Sequence, residues 1–221
     1  MRILAVSDMH GDLESVRRAC VRFGPELILS CGDWGDPEEI DAEAEAILHA
    51  ILDIAPACTT FGNHDPIEVL DRLRNRDGSP VLLGQGERRE FGGLTIAAIG
   101  GIWAKSHAKP FYVTDEDVAA AAARVANTGS LDVLLTHGCP VGLADLTPSG
   151  RHGGQRCFLD ANKTIAPRLH LCGHLHVAQE RTLRDGRRII NVGETPEGSV
   201  VVVDFDPATG ALESRLEQVA S

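Results

Sequence analysis

Five short segments carry side chains suited to metal or phosphate chemistry: Asp8-Met9-His10, Gly32-Asp33, Gly62-Asn63-His64-Asp65, His137-Gly138 and Gly173-His174-Leu175-His176. Their donors are carboxylate oxygens, an amide oxygen and imidazole nitrogens. That mixture favours first-row metals over calcium or an all-sulfur site. Asp8/His10 and His174/His176 are i, i+2 pairs. In an extended segment such residues project to the same side, so each pair can aim two donors at one place while Met9 and Leu175 point away. The donors Asp8, His10, Asp33, Asn63, His137, His174 and His176 are too many for one zinc. They suit two metals that share a bridging carboxylate. Manganese is the first expectation, with iron, zinc, cobalt or nickel as alternatives.

The elements that must position these residues can be read from apolar patterning. Ile3–Val6, Leu27–Leu29 and Cys58–Phe61 read as strands, each running into one of the polar segments. Leu13, Val16, Cys20 and Phe23 fall near helical spacing. Ile47, Ala50, Ile51 and Ile54 do so at i, i+3, i+4, i+7, with acidic residues ahead of them. Pro66 opens a further helix. This βαβαβ rhythm predicts a largely parallel sheet. Arg88–Phe91 and Leu94–Ile99 flank Gly92-Gly93 as a hairpin. Val118, Ala121, Ala122 and Val125 form another helical stripe, and Val133–Leu135 and Leu169–Leu171 are further strands. Gln179–Leu183 and Arg188–Val192 suggest a second hairpin, and Val200–Phe205 a last strand. All the polar segments sit at carboxyl ends of strands, where α/β sheets bind ligands. They are expected on one edge of a sheet. Gly138–Arg156 is the one long irregular segment, a length that often marks function.

Asp-x-His, Gly-Asp, Gly-Asn-His-Asp, a lone His after a strand and Gly-His-x-His, in this order from Asp8 to His176, resemble the calcineurin-like metallophosphoesterase superfamily. The resemblance implies an α/β fold: a two-sheet β-sandwich flanked by helices, in four αββα layers. It implies that Asp8, His10, Asp33 and His176 hold one metal and that Asp33, Asn63, His137 and His174 hold the other, with Asp33 bridging. His64 would face the substrate as the histidine that is not a ligand, with Asp65 as its orienting partner. The implied reaction is phosphoester hydrolysis by in-line attack of a metal-bridging hydroxide, with a small phosphodiester as the expected substrate. A phosphomonoester or nucleotide phosphatase is the alternative, followed by a nuclease or a non-catalytic scaffold. Asn191-Val192-Gly193-Glu194 resembles the family's Asn-Pro-Gly-Ser turn but departs from it at Val192 and Glu194. Asp145 resembles an Asp of a related family loop, where it would stand behind the ligands.

The 221 residues suit one domain spanning 1–221. A formal charge of −11 argues against an extended nucleic-acid surface or an anionic-membrane surface. His107, Arg151 and His152 lie in segments placed to contact a phosphoester substrate. Trp34 and Trp103 are expected in core or rim packing rather than stacked on a base. The six cysteines form no C-x-x-C pair, so free buried thiols in a reducing compartment are expected, with a Cys139–Cys157 loop disulfide as the alternative. The N-terminal residues read as a strand rather than a leader, which predicts a cytoplasmic protein without a membrane span. Oligomeric state is not legible.

Overall fold

Arg2–Val6 (β1) buries Ile3, Leu4, Ala5 and Val6 alike, so both of its faces meet other layers. This two-sided burial is usual for parallel sheets, and it recurs in Leu27–Ser30 (β2) and Ala57–Thr59 (β3). The structure, a computed structural model, describes residues 1–35 and 42–219. Between these strands lie helices Leu13–Phe23 (α1) and Ala42–Ile54 (α2), and Ile67–Arg72 (α3) follows. The acidic residues expected ahead of α2 fall partly outside the described residues.

Arg88–Phe91 (β4) and Leu94–Ile99 (β5) form the predicted hairpin. Ile102–Trp103 (β6) and Tyr112–Val113 (β7) make a small separate ladder. Helix Asp115–Ala126 (α4) starts on a capping box: Thr114 and Asp117 each bind the other's backbone N–H. Val133–Thr136 (β8), helix Arg156–Ile165 (α5), Leu169–Cys172 (β9), Gln179–Thr182 (β10), Arg188–Asn191 (β11), Ser199–Phe205 (β12) and Leu212–Gln218 (β13) complete the order.

Two main sheets result, in the orders β13-β12-β1-β2-β3 and β10-β11-β9-β8-β5-β4. The first is antiparallel across β13, β12 and β1 and parallel from β1 through β2 to the β3 edge, whereas the second is parallel at its centre and antiparallel at both edges, so the parallel prediction holds for β1, β2 and β3 and for the middle of the second sheet. Alternation along the strands assigns the layers. Ile3, Ala5, Leu27 and Leu29 meet Ile96, Ala98, Val133, Leu135, Leu169 and Leu171 between the sheets. Leu4, Val6 and Ile28 pack outward against Val16, Cys20 and Leu48 of α1 and α2. Ala97, Ile99 and Leu134 pack against Val118, Ala122 and Phe158 of α4 and α5. The layers run helix, sheet, sheet, helix, as the resemblance implies.

The ends of β1, β2 and β3 therefore belong to one sheet and those of β8 and β9 to the other. The expectation of a single sheet edge is corrected: the polar segments face each other across the sandwich. β13 has no counterpart among the expected strands, because its sequence Leu-Glu-Ser-Arg-Leu-Glu-Gln has no apolar run. All six cysteines are buried and free, so the Cys139–Cys157 disulfide does not form.

Candidate metal centre

The i, i+2 pairs do not work as extended segments. β1 ends at Val6 and β9 at Cys172, before either pair begins. Asp8, His10, Asp33, His174 and His176 instead have φ between 45° and 68°, the left-handed region. Non-glycine residues pay roughly 1 kcal/mol or more for this conformation. They account for five of the seven non-glycine residues with positive φ among the described residues. Such strain persists where surrounding bonds over-determine it, and here they do. The amides of Met9 and His10 both donate to the Asp33 carbonyl, at 2.8 and 3.1 Å. The His174 amide donates to both Asp8 carboxylate oxygens, at 3.1 and 3.0 Å, and Ser7 Oγ donates to Asp8 Oδ2 at 2.5 Å. Gly62 and Gly173 allow the close approach: a Cβ on the first would stand 2.0 Å from Asp33 Oδ1, and on the second 2.0 Å from Ser7 Oγ.

The side chains then converge. His10 Nε2 and His176 Nε2 are 3.1 Å apart, and His176 Nε2 lies 3.4 Å from Asp8 Oδ1. Across from them, His137 Nε2 is 3.2 Å from Asn63 Oδ1 and 3.3 Å from Asp33 Oδ2. The His137 and His174 rings stand 5.1 Å apart. Among the described residues, two groups have the geometry to hold a metal ion, Asp8/His10/His176 and Asp8/Asp33/His137. Asp8 is common to both groups, whereas the resemblance implies sharing at Asp33.

The residues present fit metal ions. His137 Nδ1 donates to the Cys31 carbonyl at 2.8 Å, which turns its Nε2 toward the Asn63 and Asp33 oxygens, where a cation would take the place of the Nε2 proton. Several acceptors turned toward one point are what a cation satisfies, and an anchored Nδ1 is usual for a metal-binding imidazole. Glu194 Oε2 lies 3.4 Å from His176 Nδ1, a looser contact on the corresponding side of that ring. In the sequence Glu194 stands out only as a departure from the family's turn, with no place in the site.

The electrostatics follow from this packing. Burial opposes charge on Asp33, yet the charge and hydrogen bond of His137 and the His64 amide outweigh it and hold the carboxyl at about 2. Burial likewise disfavours charge on His137, but Asp33, then Asp8 and the Cys31 carbonyl, raise it to about 9. Burial, reinforced by the charge of His137, lowers His174 to about 4.

The remaining predicted residues divide. His64 donates its amide to Asp33 Oδ1 at 2.8 Å, and its ring stands edge-on to His10 with centroids 5.1 Å apart. The expected bond from Asp65 to the His64 ring is corrected. Asp65 accepts instead from the amides of Gly62 at 2.7 Å and of Asp33 and Trp34 at 2.8 Å, so it ties the β2 and β3 loops together. Burial is the main cause that lifts its carboxyl to about 6. His107 binds Asp117 at 2.5 Å beside the α4 cap and is not brought into the cluster. The exposed Arg151 also stays outside, and its backbone pairs with Thr147. His152 pairs with Asp145 at 2.7 Å. Trp34 is buried and donates to Thr59 at 2.7 Å, and Trp103 donates to Asp115 at 2.9 Å. No helix among the described residues is long and apolar enough to cross a membrane.

Comparison with known proteins agrees with this architecture. No curated protein matches the chain in sequence. A Thermus thermophilus protein superposes with a TM-score of 0.73 at 16% identity, covering 97% of each chain. A structure described as a novel phosphatase of Mycoplasma pneumoniae gives 0.59 at 13% identity, covering 99% of this chain and 93% of that one. A dimetal phosphatase from Danio rerio gives 0.58 at 12%, covering 92% of each. At these identities the superpositions report a shared fold. Residues 1–206 match the family model for the calcineurin-like phosphoesterase superfamily domain. The chain belongs to that superfamily and is a metal-dependent hydrolase of phosphoester bonds.

Proposed function

We propose that the enzyme hydrolyses a small phosphodiester on a binuclear centre. Asp8, His10, Asp33 and His176 would hold one ion, and Asp33, Asn63, His137 and His174 the other. The observation that carries this reading is the convergence of His10, His176 and Asp8 on one side and of His137, Asn63 and Asp33 on the other. Bound ions would neutralise the phosphoryl oxygens and make water acidic enough to attack at neutral pH.

The chain's own residues supply the rest. Asp8 and Asp33 bring the buried negative charge that a cation pair requires. The Cys31 carbonyl fixes the tautomer of His137 so that it presents Nε2, and the Glu194 carboxylate stands 3.4 Å from Nδ1 of His176, on the side away from the cluster. Asp65 pins the loops carrying Asp33 and Asn63 and acts as a positioning residue. His64 lies beside His10 at the partly exposed face of the cluster, where its ring would donate to the charge that builds on phosphorus in the transition state. His107, Arg151 and His152 are candidates for contacts farther out. Manganese is among the first-row metals that suit a mixed set of carboxylate, amide and imidazole donors, and six free thiols suit the reducing cytoplasm. A single structural domain over 1–221 is part of this reading.

A panel assay tests it: a chromogenic diester, a monoester, cyclic nucleotides and oligonucleotides, each with manganese, zinc, iron and magnesium. Manganese-dependent diester turnover at least about tenfold above monoester turnover is expected. Faster monoester turnover replaces the reading with a monoesterase, and degradation of single strands replaces it with a nuclease. His64→Ala should lower kcat on the order of 10²-fold with two metals per chain retained. Loss of metal would place His64 among the holders instead.

A further inference from the structure

The segment between His137 and α5 is closed by its own backbone. Val141 and Gln155 pair at 3.2 Å, Thr147 donates to the Arg151 carbonyl at 2.8 Å, and Gly153 donates to the Asp145 carbonyl at 2.8 Å. Asp145 lies inside this loop with 1% of its side chain exposed. A buried carboxylate is costly unless its oxygens are satisfied. One accepts from the Gly154 amide at 3.1 Å, and the other from His152 Nδ1 at 2.7 Å. The His152 side chain is 62% exposed. The loop thus buries a charge to aim an imidazole that needs no partner of its own, since water would satisfy it.

Both ends of the loop abut the metal centre. It begins directly after His137. At its far end a Cβ on Gly153 would stand 2.9 Å from Leu175, the residue between His174 and His176. His152 is therefore presented at the rim of the site. A carboxylate can only accept, so Nδ1 of His152 carries a proton, and whenever the ring is a neutral imidazole its Nε2 is an acceptor. That nitrogen has no partner among the described residues. A phosphodiester oxygen has no proton to give it, whereas an alcohol hydroxyl has.

We propose that His152, held by Asp145, accepts a hydrogen bond from a hydroxyl on the alcohol portion of the substrate, so that the preferred substrates are phosphoesters of sugars or nucleosides. His152 is then a specificity-determining residue and Asp145 its positioning residue. The proposal rests on the phosphoesterase reading above.

Two chromogenic diesters separate the cases: the p-nitrophenyl ester of thymidine 5′-monophosphate carries a sugar hydroxyl, and bis-p-nitrophenyl phosphate carries none. With the manganese-loaded full chain, His152→Ala should raise KM for the thymidine ester about tenfold, the loss expected for one hydrogen bond. KM for the hydroxyl-free ester should change less than about twofold. His152→Gln, which keeps an acceptor, should recover most of the loss, and Asp145→Ala should reproduce the selective KM effect. Long-range ¹⁵N–¹H spectra of the imidazoles in the zinc-loaded wild type should show His152 protonated at Nδ1. An Nε2-protonated tautomer, or equal KM changes for both esters, overturns the assignment of His152 alone. If no metal supports turnover of either ester, the phosphoesterase reading fails and takes this proposal with it.

Discussion

His137 and His170 stand on neighbouring strands of one sheet, the first just past β8 and the second within β9, and neither exposes any surface. Their partners differ. His170 accepts at Nδ1 from Asn162 at 3.0 Å and meets the Thr136 hydroxyl at Nε2, 2.8 Å away. These groups are neutral, and burial alone drives its pKa down to about 3. His137 suffers the same burial, but Asp33 and Asp8 face it and the result is about 9. Equal burial thus gives a strut in one case and a charge-accepting donor in the other. What decides is whether a carboxylate stands across the ring, and the strand ends at the sandwich mouth are where this chain places carboxylates.

Exchanging the fates of the two residues is the most direct way to break the comparison. His137→Ala or Asp33→Asn should lower metal-dependent turnover on the order of 10³-fold or more with a cooperative unfolding transition retained. Near-wild-type turnover in either protein would remove it from the centre. His170→Ala should do the reverse. It opens a cavity and takes from the Asn162 amide the ring nitrogen it donates to, whereas Thr136 keeps its bond to the Gly138 carbonyl. The cost is about 2–4 kcal/mol in urea unfolding, while metal content by elemental analysis stays unchanged.

The two rings also have opposite linkage signs, best seen in the chelator-treated protein. His170 is depressed below its unfolded value of 6.5. Its contribution is intact above pH 6.5 and lost as the pH falls toward about 3, because the unfolded chain takes up a proton that the fold refuses. The expected slope, wild type minus His170→Gln, is about 1.4 kcal/mol per pH unit in that window. His137 is raised above 6.5. Its contribution is full below pH 6.5 and fades as the pH rises through about 9. Metal added at about pH 7 must displace that proton, so pH-stat titration should record acid release that His137→Ala diminishes. The smallest effect is expected at Glu194→Gln. It weakens the hold on His176 Nδ1 and should reduce metal affinity about tenfold in competition with a chelator. Unchanged affinity would make Glu194 a bystander.

The candidate ligands are legible in the sequence because their types are unusual at strand ends and because strands of buried apolar runs are easy to read. What sequence does not carry is backbone sign. The i, i+2 spacing is consistent with extended geometry, yet Asp8, His10, His174 and His176 reach the centre through left-handed turns fixed by distant amides. Nor does patterning say which strands share a sheet: β2 and β8 have similar apolar runs and lie in different sheets. Asp65 is misassigned by sequence for a related reason. Proximity along the chain to His64 points to that ring, while three orphan amides from the β2 and β3 loops have the stronger claim on its oxygens. Helix α5 is readable in principle, since Cys157, Phe158, Ala161 and Ile165 share one buried face, but the glycine-rich loop before it obscures where it starts.

The left-handed residues at the centre have a consequence for how this chain can change over time. At Asp8, His10, Asp33, His174 and His176 the conformation is one that glycine adopts freely. Were the ions dispensable, glycine at His10 or His176, whose side chains hold no backbone amide, would relieve the backbone, whereas Asp8 and Asp33 also satisfy the His174 and His64 amides. Selection for folding alone therefore pulls against the chemistry most at the two histidines. Glycine appearing at these positions in a descendant would be the mark of a fold released from its catalytic work.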